Sequence, residues 1–186
     1  YALVANRWIT DLGSNDWQLY EDMVDVNNDG NIDIILQSKS NGYIKVMQMN
    51  GFTLKAMKWT GSPGADWKIV GITDIDKDNY KDRIIQQSST GYIKAYKLDS
   101  NSKGTFKWIG DPASKDWEVV KVTDIDNDGV ADILMQNSAG YMKAFKLSSN
   151  FSSTSKWIGG SGSSWEVEDV KDIDGDNIAD IILQDE

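Results

Sequence analysis

Short apolar runs, separated by polar segments rich in glycine and serine, recur along the whole chain. Residues 92–98 show the pattern clearly, because apolar and polar side chains alternate there with a period of two. One predicted face of this segment carries Tyr92, Lys94, Tyr96 and Leu98, and the other carries Ile93, Ala95 and Lys97. Such alternation is typical of a half-buried β-strand. No stretch shows sustained helical periodicity, so the pattern predicts an all-β fold.

The predicted strands repeat about every 50 residues. Trp17, Trp67, Trp117 and Trp165 lie 50, 50 and 48 residues apart, and each follows a second tryptophan by eight or nine residues. These preceding residues are Trp8, Trp59, Trp108 and Trp157. Each repeat is predicted to hold four strands. The first runs from the later tryptophan to an acidic loop, the second is an apolar run ending in glutamine, the third opens on Gly-Tyr, and the fourth ends at the next tryptophan pair. The closing glutamines are Gln37, Gln86, Gln136 and Gln184.

Four short antiparallel strands at this period predict a β-propeller, or part of one, with about four repeat units. We expect residues 1–186 to form a single repeat domain. Its predicted parts are the end of a blade at 1–16, blades at 17–66, 67–116 and 117–164, and the start of a blade at 165–186. The ends do not complete a blade. A fragment of a larger ring, a small imperfect ring, or a homo-oligomer that exchanges strands at the open ends would each resolve this, and we favour the first or the last.

An acidic loop of nine residues follows the first predicted strand of every repeat. Oxygen-bearing side chains occupy loop positions 1, 3, 5 and 9, and Gly or Asn occupies position 6. Position 7 varies in chemistry, as expected where only the backbone carbonyl is a ligand. The predicted metal ligands are Asp25, Asn27, Asp29, Asn31, Asp33, Asp74, Asp76, Asp78, Tyr80, Asp82, Asp124, Asp126, Asp128, Val130, Asp132, Asp172, Asp174, Asp176, Ile178 and Asp180.

All-oxygen ligation with flexible geometry favours Ca²⁺, about four ions in all, one for each loop. An EF-hand is excluded, because it requires a glutamate at position 12 and the residues there are Leu36, Ile85, Met135 and Leu183. Asp, Asn and Gly also form ordinary solvated turns. Four loops in register, each followed directly by an apolar run, favour metal binding over that alternative. Lys77, Lys81 and Arg83 surround the second loop, which therefore is predicted to bind calcium least tightly.

The net charge and the amino-acid composition reduce the number of functional classes that fit the chain. The formal net charge is −10, and 15 of the 29 acidic residues belong to the four loops. An acidic chain of this kind is not expected to bind nucleic acid. The sequence has no Cys and no His, which excludes disulfides and Cys/His zinc sites. Without an apolar run of about 18 residues, no membrane insertion is expected. No nucleophile–base pair stands out, so the chain is predicted not to be an enzyme.

The repeated motif, Trp followed by Asp-x-Asp-x-Asp-Gly-x-x-Asp-Ile and then Gly-Tyr-Ile-Lys, resembles the FG-GAP/VCBS-type repeats of calcium-binding propellers. That family includes the integrin α-subunit head and many bacterial secreted proteins. The Phe-Gly and Gly-Ala-Pro signatures are absent, so the chain is nearer to the bacterial variant. The resemblance implies calcium in the hairpin between the first two strands of each blade. It also implies an extracellular location, secreted or at a cell surface of bacterial type.

The function expected from these features is that of a calcium-stabilised binding or adhesion module, with a glycan or an extracellular protein as ligand. The tryptophan pairs suggest lectin-like sugar stacking, although wedging between neighbouring blades explains them too. Lysines and tyrosines opening the third strands either line a repeated polar pocket or form a solvated face. These are Tyr43, Lys45, Tyr92, Lys94, Tyr141 and Lys143. The alternative function is a non-catalytic structural propeller domain appended to a secreted enzyme, such as one that degrades polysaccharides.

Overall fold

The computed structural model describes residues 9–22, 24–99 and 104–185. The strand predicted for residues 1–8 lies outside these ranges. Throughout the described residues the secondary structure consists of β-strands, with no helix. The strands form three sheets of four and one of two. All pairings are antiparallel between strands that follow one another in sequence. The all-β prediction is confirmed.

The chain divides into two compact units, with the boundary between Ala65 and Asp66. The first unit contains one sheet, which consists of β1 (Trp17–Leu19), β2 (Ile34–Ser38), β3 (Ile44–Asn50) and β4 (Thr53–Gly61). Its small core is formed by Leu36, Met47 and Met49, against which Trp17 and Leu54 pack.

The second unit contains three sheets. The first has strands β5 (Trp67–Thr73), β6 (Asp82–Gln87), β7 (Ile93–Leu98) and β8 (Gly104–Gly110), and the second has β9 (Trp117–Thr123), β10 (Asp132–Asn137), β11 (Tyr141–Leu147) and β12 (Ser153–Gly160). The third has β13 (Trp165–Lys171) and β14 (Asp180–Asp185). Strand β9 contacts both β5 and β13, so the first strands of successive sheets are neighbours.

The core of the second unit lies between its sheets. Ile84, Ile93, Ile133 and Met135 are fully buried and belong to one apolar cluster that spans two sheets. Ile75 joins the same cluster from inside an acidic loop. The alternation predicted for β7 therefore has a physical basis, because Ile93 and Ala95 face this core while the intervening side chains are only partly buried.

Glutamines at the ends of second strands connect successive sheets of this unit. The side-chain nitrogen of Gln86 donates to the Trp117 carbonyl at 2.6 Å, and its oxygen accepts from the Val119 amide at 3.0 Å. Gln136 makes the same two bonds to Trp165 and Val167, at 2.7 and 3.1 Å. Each of these glutamines thus pairs with the edge of the next sheet's first strand.

A bulge interrupts each first strand of the second unit. One residue has no partner in the adjacent second strand, namely Val70 in β5, Val120 in β9 and Glu168 in β13. Such bulges increase the local twist of a strand. In the first unit, β1 ends at Leu19 and pairing resumes at an isolated bridge between Val24 and Asp33. The sequence has one residue more between Trp17 and Asp25 than between the equivalent residues of the other repeats, which predicts a bulge. In the structure this stretch coincides with the interruption of regular pairing between the end of β1 and the bridge.

Candidate functional site

The acidic loops connect the first and second strands of every sheet. Residues 25–33 follow β1, residues 74–82 follow β5, residues 124–132 follow β9, and residues 172–180 follow β13. The loops thus lie in the hairpins where the repeat pattern predicted them.

The carboxylate at position 1 folds each loop around itself. Asp124 accepts hydrogen bonds from the amides of Asp128 at 3.1 Å and Gly129 at 2.8 Å. The equivalent Asp25, Asp74 and Asp172 also accept two loop amides each. Because the chain must turn sharply, position 6 has a positive φ in all four loops, as the sequence predicted. These residues are Gly30, Asn79, Gly129 and Asn177.

Position 4 also has a positive φ in all four loops, which the sequence analysis missed. The residues there are Asn28, Lys77, Asn127 and Gly175, with φ of 57°, 61°, 59° and 84°. Three are Asn or Gly, the types that tolerate this conformation. Asn or Gly at position 4 in three of the four loops could have predicted this conformation, but Lys77 at the same position of the second loop interrupts the pattern.

In the first three loops, the carboxylate at position 9 attaches the loop to the third strand. Asp132 accepts the Ile125 amide at 3.2 Å and the Leu147 amide at 2.9 Å. Asp82 does the same with Ile75 and Leu98, both at 3.0 Å. Asp33 accepts Val26 and Met49. Burial raises the pKa of Asp33 and Asp132 and raises that of Asp82 to about 6. These buried groups therefore have a structural role that the sequence did not indicate.

Three of the loops bring carboxylate oxygens within 4.8 Å of one another. The groups are Asp74, Asp76 and Asp78; Asp124, Asp126 and Asp132; and Asp172, Asp174 and Asp180. In the first loop an amide side chain, Asn27, occupies position 3, so fewer carboxylates meet there. At position 7 the side chains differ widely in exposure, since Val130 is buried and Ile178 is more than half exposed. The backbone role of that position stays a prediction, as does ligation by the remaining predicted residues.

Lysine ammonium groups contact the carboxylates of three loops. Lys146 contacts Asp126 and lies 3.1 Å from Asp128. Lys97 contacts Asp76 and lies 3.2 Å from Asp78. Lys55 lies 3.2 Å from Asp29. The hydrogen bond from the Val130 amide, together with Lys146, lowers the pKa of Asp128.

The cations that the sequence placed around the second loop are arranged differently. Lys77 reaches out of its own loop, and its ammonium lies 3.4 Å from the Asp128 carbonyl oxygen in the next one. Arg83 is a buried residue of β6, and burial lowers its pKa to about 10. Lys97, which the sequence analysis did not single out, is the lysine that contacts this loop's carboxylates.

The donor sets fit a hard divalent cation. Every converging side-chain group is an oxygen acceptor, which is the ligand type that calcium prefers. Asp76 Oδ1 is buried and has no hydrogen-bond partner, an expensive arrangement that a bound cation would relieve. The lysine contacts place positive charge beside the same carboxylates.

The first-strand and fourth-strand tryptophans of each complete repeat meet a tyrosine and a lysine of its third strand in one aromatic cluster. The tryptophans paired by the eight- or nine-residue spacing, such as Trp108 and Trp117, therefore belong to different clusters. In the first, Lys45 lies 3.8 Å from the ring centroid of Trp17 and 4.6 Å from that of Trp59, and Tyr43 packs edge-on against Trp59. Lys94 lies 4.1 Å from Trp67 and 4.4 Å from Trp108. Lys143 lies 4.0 Å from Trp117, which packs against Trp157.

The two tryptophans of a cluster differ in exposure. Trp67 and Trp117, on first strands, are 8% and 9% exposed. The fourth-strand residues Trp59, Trp108 and Trp157 are 59%, 56% and 59% exposed. Packing thus accounts for the first-strand rings, whereas the fourth-strand rings present accessible surface in three equivalent places.

Comparison with known protein families identifies the repeat. The model of the FG-GAP-like repeat family matches residues 25–85 and 124–183, well over half of the chain, which confirms the resemblance. Both matches begin at the first aspartate of an acidic loop, and together they include all four loops. No curated protein matches the sequence significantly. FG-GAP repeat domains are generally non-catalytic structural or binding modules, and they typically occur in extracellular proteins. Within the described residues, no helix could span a membrane.

Proposed function

Because the chain belongs to the FG-GAP-like repeat family, we propose that it is a calcium-stabilised extracellular binding module, secreted or held at a cell surface, whose repeats are blades of a β-propeller. The observation that carries this proposal is the recurrence of the acidic loop at one place in every sheet, with carboxylates converging in three of the four. The lateral contacts of β9 with β5 and β13 support the radial arrangement of the second unit.

Calcium would be held by the side chains at positions 1, 3, 5 and 9 and by the carbonyl at position 7. A bound ion supplies charge neutralisation and fixes the hairpin between the first two strands. Four Ca²⁺ ions would reduce the formal net charge from −10 to −2. Loops of this type in extracellular modules bind calcium in the range of about 10⁻⁴ to 10⁻³ M, which suits an extracellular location.

The ligand surfaces proposed are the exposed fourth-strand rings, which are Trp59 in the first unit and Trp108 and Trp157 in the second. An indole more than half exposed is a large flat apolar face. A pyranose ring can stack its C–H face on that indole and direct its hydroxyl groups to the adjacent tyrosine. Within the second unit, the two equivalent rings Trp108 and Trp157 would give a repeating ligand more than one contact and therefore added avidity. A glycan fits this surface, and lectin-like adhesion follows from it.

A glycan array in millimolar calcium tests the ligand. We expect the wild-type protein to bind at least one glycan class, and alanine at each of the three exposed tryptophans to reduce that binding. Phe52→Ser is the matched control, because Phe52 is 77% exposed and belongs to none of the clusters. Equal loss in the control would contradict a site at the tryptophans.

The second candidate is a structural propeller domain appended to a secreted enzyme. It is favoured by the cation–π contacts. The tryptophan rings of each cluster already interact with a lysine of the protein itself, so the clusters have a structural role without any ligand. A calcium-loaded protein that binds no glycan on the array, yet loses stability when the tryptophans are replaced, would support this candidate.

A further inference from the structure

We infer that Lys146, together with Lys97 at the equivalent position of the preceding repeat, is a tethered competitor of the metal ion. In this inference the ammonium occupies the calcium position of its loop and must leave when calcium binds. The inference rests on the proposed calcium sites and goes beyond them, because it assigns unequal affinities to loops with the same carboxylates.

The contacts of both lysines define the competition. Lys146, on β11, contacts Asp126 and lies 3.1 Å from Asp128 Oδ2, which are positions 3 and 5 of its loop. Lys97, on β7, contacts the same two positions, Asp76 and Asp78. An ammonium bound to two proposed ligands takes the place that the ion needs. Two cations in one carboxylate cluster repel each other strongly, so they are alternatives.

The side chains of both lysines can move away from the loop carboxylates into solvent. The side chains of Lys146, on β11, and Lys97, on β7, are 46% and 41% exposed. An ion pair with this exposure is individually weak. Calcium at sufficient concentration can therefore displace the ammonium into solvent, at the expense of the lysine's contacts.

The other two loops provide an internal comparison. In the first repeat the equivalent residue is Gln48, and Lys55 reaches only one carboxylate, that of Asp29. In the described residues, no lysine forms an ion pair with Asp172, Asp174, Asp176 or Asp180 of the fourth loop. The third loop additionally faces Lys77, 3.4 Å from the Asp128 carbonyl. Calcium at the second and third loops is thus opposed by a tethered charge, whereas no lysine of the described residues pairs with the fourth loop.

A site-resolved calcium titration of the full chain tests the inference. The backbone amide of Gly129 reports on the third loop, and those of Gly30 and Gly175 report on the first and fourth, so ¹⁵N-resolved NMR follows each loop separately. Lys146→Met should tighten calcium binding at Gly129 by about tenfold, the scale of two surface ion pairs. The titrations at Gly30 and Gly175 should be unchanged. Lys97→Met should act in the same way on the amide of Asn79.

Lys156→Met is the matched control, because it removes the same charge from the exposed neighbouring strand β12. A general electrostatic effect would tighten binding equally in both variants, and that result would overturn the inference. A second readout is thermal melting. Lys146→Met should melt at a lower temperature than Lys156→Met in chelator, and the difference should shrink or reverse in calcium.

The outcomes also separate this inference from the proposed function. If wild type and Lys146→Met bind calcium with the same affinity, the competition by lysine is overturned but the proposed calcium sites are not. Calcium binding only in the variant supports it strongly. No calcium binding in either protein overturns the proposed metal sites as well.

Discussion

In the first three loops, the aspartate at position 9 is the most deeply buried acidic residue. Asp33, Asp82 and Asp132 are at most 3% exposed, and each accepts one amide from its own loop and one from the third strand. The acidic pattern identified these residues as metal ligands only. Their second role depends on a strand about 15 residues further along the chain, which a local motif does not show.

Asp82→Ala should destabilise the protein even when no calcium is present. The substitution leaves the amides of Ile75 and Leu98 without partners in a buried site, and each unsatisfied amide costs about 1–3 kcal/mol. We expect the free energy of unfolding to fall by about 2–4 kcal/mol, measured by urea denaturation in chelator. Asp116→Ala, at an exposed position with the same charge change, should cost less than about 0.5 kcal/mol. Similar losses in the two variants would contradict this role.

The raised pKa of Asp82 predicts how stability without calcium depends on pH. Because burial raises this pKa to about 6, the folded protein takes up a proton between pH 7 and pH 5 that the unfolded chain takes up only near pH 4. The stability gained from protonation is therefore fully present below about pH 4 and is lost as the pH rises through 6. In chelator, wild type should gain stability between pH 7 and pH 5.

Urea denaturation at pH 7 and pH 5 measures this gain. It should be smaller in Asp82→Asn, which has no proton to take up, and should persist in Asp116→Asn. Below pH 4 a carboxylate with a lowered pKa has the opposite effect, because its protonation reduces the stability of the protein. Hydrogen bonds from Lys121 hold the pKa of Asp169 at about 2, so the stability that this carboxylate contributes is lost as the pH falls towards that value. An equal gain in wild type and Asp82→Asn would exclude Asp82 as its source.

At the scale of the element, the strands were predictable because their signals are local. Alternation, the eight- or nine-residue spacing between paired tryptophans and the Gly-Tyr openings are all signals within about ten residues, and the observed strands of the complete repeats follow them. The bulges at Val70, Val120 and Glu168 were not predictable, since they arise from the register against a second strand. Lys97 and Lys146 were missed for the same reason. Only pairing of the third strand places them over the acidic loops.

Gln86 should be a major connection between two successive sheets. It is buried, and both ends of its amide bond to β9, so Gln86→Ala leaves the Trp117 carbonyl and the Val119 amide without this partner. We expect a loss of about 2 kcal/mol in the free energy of unfolding. Gln136→Ala should cost less, because its bonds to β13 are more exposed to water.

Gln184→Ala is the matched control, because Gln184 is exposed near the end of β14 and no described strand follows it. Its effect should be within about 0.5 kcal/mol. Urea denaturation of the three variants gives the ranking. A ranking in which Gln184 equals Gln86 would show that the inter-sheet bonds contribute little.

At the scale of the whole molecule, calcium should act as a stabiliser spread over all repeats. With dissociation constants of about 10⁻⁴ to 10⁻³ M, each loop would add about 1.4–2.7 kcal/mol at about 10 mM calcium. Summed over four loops, this predicts a rise in melting temperature of roughly 10 °C or more for a chain of this size. Scanning calorimetry in calcium and in chelator measures it, with magnesium as the control ion. An unchanged melting temperature would argue against structural metal sites.

The glutamine bonds described above have a direction. Gln86 and Gln136 each bond to the sheet that comes later in the chain, so the first strand of the later sheet supplies the partners of a glutamine in the earlier one. During synthesis on the ribosome, the side-chain amides of Gln86 and Gln136 would therefore lack these partners until the following repeat had been made. The inter-sheet glutamine bonds can therefore form only in the order in which the repeats are synthesised. In a chain whose synthesis stops early, the last repeat made would be the least stable.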